Sequence, residues 1–132
     1  MSNKSSYESS KQAELENVKN GVYGEPEAAA ITGDYDKAIS IFVSRKDYFH
    51  AILCCICSLD IAEANSMIEK YQLKDNQKAV LLKICMAFEN KSIDDFTDAI
   101  FTYDLDKKLT RWETSMLLEV KNDLGNFINE TS

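Results

Sequence analysis

The stretch DYFHAILCCICSL, residues 47–59, decides the fold class. Between Phe49 and Cys57 every residue except His50 is apolar, so the segment has almost no polar side. A helix that is apolar all round is normally buried. Just before it, Ser44 and Asp47 have the spacing of a capping box, in which a hydroxyl and an acid satisfy the free N–H groups of a helix start. We therefore predict a central buried helix here.

Amphipathic patterns on both sides of this stretch predict further helices. Upstream, DYDKAISIF at residues 34–42 places its apolar side chains at helical spacing. Downstream, three pairs repeat the capping spacing, each followed by an apolar stripe: Asp60 with Glu63, Ser92 with Asp95, and Thr110 with Glu113. A separate stripe ends around Asn90, and Gly125 is a plausible stop for the last helix. The pattern predicts seven or eight helices with short links.

The predicted fold class is all-α, with antiparallel helical hairpins in an α-solenoid that ends in a C-terminal helical bundle. The chain has 132 residues, 45% hydrophobic and 28% charged, with four glycines and one proline. Short links between helices force consecutive antiparallel packing. The segment GDYDKAISIF resembles the second helix of a tetratricopeptide repeat, although no strict period is visible. We therefore describe the expected hairpins as tetratricopeptide-like.

Both ends of the chain are expected to lie outside the folded unit. Residues 1–10 are Ser-rich and polar and are predicted to be a disordered tail. Residues 11–126 are predicted to form the helical-hairpin domain, and residues 127–132 a frayed C-terminal tail. No stretch approaches the length of a membrane span, and no apolar targeting segment is present at the start.

Composition argues against several function classes. A net charge of −7 and a pI near 4.7 repel nucleic acid and anionic lipid and suit a basic partner surface. His50, Cys54 and Cys57 could face one side of a helix and bind zinc, but structural zinc sites usually take four ligands from loops, and free cysteine is commonly buried. We expect reduced, buried thiols, no metal, no cofactor and no catalytic site.

Charged residues in the second half are the candidates for binding. An acidic run is balanced only by Lys91 and comprises Glu89, Asp94, Asp95, Asp98, Asp104 and Asp106. It is either a solvated helix face or a docking surface for a basic partner. Three basic residues follow this run: Lys107, Lys108 and Arg111. They either contribute to solubility or recognise an acidic helical bundle. Trp112 is expected in the core rather than exposed at an interface.

Three blocks resemble the C-terminal part of the soluble NSF attachment protein family, the α-SNAP family. They are KDYFHAILCCICSLDIAEANSMIEKYQ, DDFTDAIFTYD and KLTRWETSMLLEVKNDL. The last block is the most specific, with Lys108 and Leu109, then Trp112, then Thr114, Met116, Leu117, Leu118 and Lys121 in the family's order. The similarity runs from about Asp34 to Leu124 and corresponds to the C-terminal portion of a typical member.

The resemblance implies a non-enzymatic adaptor that links SNARE complexes to the AAA+ ATPase NSF for SNARE disassembly in vesicle trafficking. Family members use acidic residues for the basic NSF N-domain and a basic concave face for the SNARE bundle. The NSF-binding positions implied or expected here are Asp60, Glu89, Asp94, Asp95 and Asp98. The SNARE-binding positions are Lys46, Lys107, Lys108 and Arg111. The expected location is cytoplasmic, peripheral on vesicle, endoplasmic reticulum or Golgi membranes through these partners.

The chain departs from the family pattern in ways that leave an alternative open. Met86 and Asn90 stand where an acid is usual, the family's N-terminal repeats have no counterpart, and the chain ends NETS rather than in an acidic stretch with a penultimate Leu. The expectation is a divergent or shortened member with reduced or regulatory activity. The alternative is a stand-alone helical scaffold or decoy that has lost the disassembly function.

Overall fold

Eight α-helices make up the part of the chain that the structure, a computed structural model, describes: the backbone of residues 4–131 and the side chains of residues 8–130. The helices are α1 (Lys4–Lys19), α2 (Glu25–Ile31), α3 (Tyr35–Ser44), α4 (Tyr48–Cys57), α5 (Ile61–Lys70), α6 (Asp75–Asn90), α7 (Ile93–Lys107) and α8 (Arg111–Thr131). No β-strand occurs in residues 4–131. The predicted all-α fold is confirmed.

Consecutive helices pack as antiparallel hairpins because their links are only two to five residues long. The closest pairs are α2 with α3, α3 with α4, and α6 with α7. Helix α8 then returns across the stack and packs on α4, α1, α2 and α7. As a result, the α1–α2, α3–α4, α5–α6 and α7–α8 links lie at one end of the stack, and the other three links lie at the opposite end.

Helix α4 is the centre of the core, as its apolar sequence predicts. Residues 51–57 are all buried, and Ile52, Cys54 and Ile56 are completely inaccessible. Amphipathic neighbours cover α4, including Phe42 from α3 and Leu124 from α8. Trp112, at the start of α8, is also buried, which confirms its predicted place in the core.

The same turn links four helix pairs. In each, a residue with positive φ precedes the cap of the next helix: Gly33, Lys46, Leu59 and Lys91. The cap's backbone N–H reaches back to a carbonyl five residues earlier, as in the Schellman motif. The caps Asp34, Asp47, Asp60 and Ser92 each accept a bond from the N–H three residues ahead. The capping predictions for Asp60 and Ser92 are confirmed.

The capping boxes predicted at the starts of α4 and α8 have different outcomes: the first does not form, and the second does. The capping-box spacing predicts Ser44 as the cap of α4, but Ser44 is the last residue of α3, and its hydroxyl donates to the Ile41 carbonyl. Asp47 is the cap instead, because the chain turns at Lys46. At α8 the predicted box forms in both directions: Glu113 N–H donates to Thr110, and Thr110 N–H donates to Glu113.

The helices extend beyond the predicted domain boundaries. Residues 4–10, expected in a disordered tail, belong to α1, which is tied to the body by Lys11 through a 2.7 Å ion pair with Glu119 of α8. The first three residues of that tail lie outside the described residues. Helix α8 continues past Gly125 because Phe127 and Ile128 pack against the core, so residues 127–131 are helical rather than frayed. None of the helices described here has the length and hydropathy needed to cross a membrane.

Candidate protein-binding surfaces

Five of the predicted acidic residues gather at the end of the stack that holds the α4–α5 and α6–α7 links, whereas Asp104 and Asp106 of the predicted acidic run lie in the last turn of α7, at the opposite end. We call the surface formed by the five the acidic end; it comprises Asp60, Glu89, Asp94, Asp95 and Asp98, all exposed. Asp60 caps α5, Glu89 lies in the last turn of α6, and the other three lie in the first two turns of α7. The hairpin topology therefore brings these separate sequence positions to one region. Asp98 lies one turn further from the link than the others.

Two of these carboxylates line a shallow groove between α6 and α7. Asp95 and Asp98 face Lys83 and Met86 across a space of about 220 Å³. Asp95 also accepts a 3.4 Å hydrogen bond from the Asn90 side chain. The groove thus combines acids with one cation and an exposed methionine. Such a surface suits a basic partner that also offers apolar side chains.

Cations gather at the opposite end of the stack. Arg45 and Lys46, from the α3–α4 link, and Lys74, from the α5–α6 link, line an open pocket of about 370 Å³. Tyr48 stacks on Tyr71 with ring centroids 4.1 Å apart, which joins the two links. We call this surface the basic end; with the next link it comprises Arg45, Lys46, Lys74, Lys107, Lys108 and Arg111.

The basic residues near α8 have different environments. Lys107 ends α7 and Lys108 follows it, and both are exposed. Arg111 donates to Glu14 of α1 at 3.3 Å, and Glu14 is buried. Burial would raise the pKa of Glu14, but hydrogen bonds from Tyr23, Asn17 and Arg111 outweigh it and lower the pKa. Arg111 therefore holds α1 against α8, although its side chain is still largely open to solvent.

His50 binds two carboxylates rather than thiols. Its Nδ1 lies 2.7 Å from Asp47 Oδ2, and its Nε2 lies 2.9 Å from Glu113 Oε2. Burial alone would lower the pKa of His50, but the bonds to Asp47 and Glu113 outweigh it and raise the pKa to about 9. An imidazolium fixed in this way links the start of α4 to the start of α8.

The cysteines pack in the core as free thiols. All four are buried: Cys54, Cys55, Cys57 and Cys85. Burial raises the pKa of Cys54 to about 12 and that of Cys85 to about 11. A buried thiol with a raised pKa is a poor nucleophile. Among the described side chains, no group of His, Cys, Asp and Glu is arranged to hold a metal ion.

Sequence reasoning missed two residues of the basic end and one carboxylate partner of His50. Arg45 and Lys74 are 29 positions apart and meet only because two hairpin links lie side by side. Glu113 was expected only as the cap partner of Thr110, yet it also binds His50. A local pattern could have drawn attention to Arg45 beside Lys46. No local pattern pairs residues 50 and 113.

Comparison with known proteins identifies similar sequences. The human alpha-soluble NSF attachment protein is 28% identical, and the match covers 73% of this chain and 39% of the human protein. The probable vesicular-fusion protein sec17 homolog of Neurospora crassa is 29% identical, covering 79% of this chain and 43% of that protein. A soluble NSF attachment protein homolog of Fowlpox virus is 34% identical, covering 63% of this chain and 32% of the viral protein.

The chain spans less than half the length of these relatives. No solved structure matches it. The family model described as soluble NSF attachment protein, SNAP, matches residues 35–125, which include α3–α7 and most of α8. On this match over most of its length, the chain belongs to the soluble NSF attachment protein family.

Proposed function

We propose that this chain is a non-enzymatic adaptor in vesicle trafficking that connects SNARE helical bundles to the ATPase NSF for SNARE disassembly. The observation that carries the proposal is that five exposed acids cluster at one end of the hairpin stack and six exposed cations cluster at the opposite end, which also carries exposed acids such as Asp75 and Asp106. An adaptor needs two surfaces that can be occupied together. Ends separated by the length of a helix meet that requirement.

The acidic end is the proposed NSF surface. Its five carboxylates, Asp60, Glu89, Asp94, Asp95 and Asp98, are exposed and would attract a basic N-domain. The basic end is the proposed SNARE surface: Lys46, Lys107, Lys108 and Arg111, to which we add Arg45 and Lys74. Through these partners the protein would lie peripherally on cytoplasmic membrane faces. The chain spans less than half of the relatives' length and therefore offers fewer contacts along the SNARE bundle. We expect it to bind the bundle more weakly than its relatives do.

Binding measurements with purified NSF N-domain and an assembled SNARE bundle at low salt test the proposal. The variant with Asp94→Lys, Asp95→Lys and Asp98→Lys should lose at least tenfold in NSF affinity while keeping its helical circular dichroism. A control with Glu16→Lys, Glu69→Lys and Asp75→Lys has the same change in net charge. It should retain NSF binding, because these exposed acids lie near the other end.

The results separate the adaptor from the scaffold alternative. If the unmodified protein retains neither NSF nor the SNARE bundle at low salt, the adaptor proposal fails and a scaffold or decoy role remains. If both triple variants weaken NSF binding equally, net charge rather than the acidic end is responsible. In that case the site assignment fails even though NSF is a partner.

A further inference from the structure

An apolar groove runs between α7 and α8, on the side of α7 that faces away from α6. Its walls include Phe96, Ile100 and Phe101 of α7 and Leu117 and Leu118 of α8, around a space of about 280 Å³. Phe101 is 63% exposed and Leu118 40% exposed. Large apolar side chains that line a groove and stay exposed commonly mark a binding surface.

The groove has acids on its α7 side. Asp104 is part of the wall and accepts the backbone N–H of Leu109 at 2.9 Å. Asp94 lies two turns before Phe101 on the outward face of α7, whereas Asp98 lines the α6–α7 groove instead. The α8 wall carries Lys121. An occupant therefore meets Asp104 in the α7 wall, with Asp94 further along the same helix, and Lys121 in the α8 wall.

We propose that this groove binds a basic amphipathic α-helix of a partner protein. Apolar side chains spaced at i, i+3 or i+4, and i+7 would contact Phe101 and Leu118, and Lys or Arg beside them would face the α7 acids. The proposal goes beyond the adaptor function, which uses the charged ends and requires no helix in this groove.

The negative charge of the protein favours a basic helix over two other possible occupants, a second copy of the chain and an anionic lipid surface. A second copy placed in the same groove would bring a protein of net charge −7 against the α7 acids of the first, which like charges oppose. An anionic lipid surface would be repelled by the same acids. A basic helix avoids both repulsions. Its apolar stripe would also cover the exposed side chains of Phe101 and Leu118.

The probe is a fluorescein-labelled Leu/Lys peptide of about five helical turns, with leucines on one face. Anisotropy at low salt should show binding. A Leu/Glu peptide with the same leucines and a scrambled Leu/Lys peptide should each bind at least tenfold more weakly. Phe101→Ser and Leu118→Ser should each weaken binding roughly tenfold or more, as expected for losing a buried apolar side chain.

Leu82→Ser is the matched control, because Leu82 is 37% exposed on α6 and does not line the groove. It should leave peptide binding unchanged. Unchanged binding in both Phe101→Ser and Leu118→Ser, or equal binding of the scrambled peptide, would overturn the proposal. So would sedimentation as a dimer that Phe101→Ser dissociates.

The same variants distinguish this groove from the proposed NSF surface. Phe101→Ser changes no charge, so NSF N-domain binding should be retained at low salt. Loss of NSF binding together with peptide binding would mean that NSF itself occupies the groove, which contradicts a separate site. Failure of peptide binding with NSF binding intact would remove this proposal alone.

Discussion

His50 shows how one side chain fixes the relative position of two distant helix starts. Its ring nitrogens bind Asp47, the cap of α4, and Glu113, in the first turn of α8. Three aromatic rings enclose it, and the Trp112 ring lies edge-on with its centroid 4.7 Å away. With two carboxylates as partners, the charged imidazolium is the stable form. The hydrogen bond from His50 also lowers the pKa of Glu113.

Raising the pH should therefore loosen the fold through His50. Because its folded pKa, about 9, exceeds the ordinary 6.5, its stabilising effect is complete below pH 6.5 and is lost as pH rises through 9. His50 is the single histidine, so its ring proton resonances can be followed by NMR without assignment. We expect a titration midpoint near 9, and a midpoint near 6.5 would contradict the double ion pair.

A His50→Gln variant provides the control for this pH effect. The amide cannot carry charge, and it leaves at least one partly buried carboxylate without its ionic partner. We expect a loss of roughly 1–3 kcal/mol in unfolding free energy near pH 6. The difference between the two proteins should narrow by pH 9. A difference that stays constant over this range would mean that packing, not charge, explains the loss.

The four similar helix links show a compromise between backbone strain and the side chains that the links carry. Each link places a residue in the left-handed region, and only the first uses glycine, at Gly33. Lys46, Leu59 and Lys91 adopt the same conformation with side chains, which costs about 1 kcal/mol each. Lys46 has its exposed ammonium at the basic end, so its side chain supplies charge where glycine would relieve strain.

Lys46→Gly should therefore change stability and binding in opposite directions. Removing the side chain relieves the left-handed strain and should raise the free energy of unfolding by about 0.5–1 kcal/mol. The same change should weaken SNARE-bundle binding by removing one cation of the basic end. Urea unfolding and SNARE titration at low salt measure the two effects separately.

Leu59→Gly is the matched comparison for Lys46→Gly, since Leu59 has a φ of 65° against 60° at Lys46. It should raise stability similarly and leave SNARE binding unaltered. If Lys46→Gly stabilises the protein and binding does not fall, Lys46 is not a SNARE contact. If neither variant is stabilised, the left-handed residues carry no recoverable strain.

Local rules predict helices better than they predict where helices end. The caps at Asp60, Ser92 and Thr110 follow from side-chain spacing, because capping is an interaction over three residues. Ser44 has the same spacing but ends a helix, because the turn at Lys46 makes Asp47 the cap. Gly125 fails as a stop because Phe127 packs on Phe88 of α6, a contact that only the assembled fold supplies.

Across the fold, the topology of the links brings together cations that are far apart in the sequence. Arg45, Lys74 and Lys108 belong to three different links, yet alternation of helix direction brings all three to one end. The acidic residues were predictable as a run, but the division of that run was not: Asp94, Asp95 and Asp98 lie towards one end of α7, and Asp104 and Asp106 lie at the other end beside the cations. The α7–α8 groove was equally invisible, because Phe101 and Leu118 meet only after α8 turns back.

The two ends should act independently in binding. Helices α6 and α7 have 16 and 15 residues, so the ends lie roughly 22–24 Å apart at about 1.5 Å per residue. This exceeds the screening length of about 8 Å at physiological salt. Reversing Asp94, Asp95 and Asp98 should therefore weaken NSF binding by the same factor whether or not Lys46, Lys74 and Lys108 are also reversed.

A double-mutant cycle on NSF N-domain affinity at physiological ionic strength measures this independence. The free-energy effects of mutations at distant sites add to within about 0.5 kcal/mol. The factor by which the acidic-end reversal weakens NSF binding should therefore agree within roughly twofold in the two backgrounds. Adding Asp60→Lys to the acidic-end reversals instead changes the same surface and should depart from additivity. A coupling above tenfold between the two ends would mean that they share one partner surface. The adaptor geometry, with each end free for its own partner, would then be untenable.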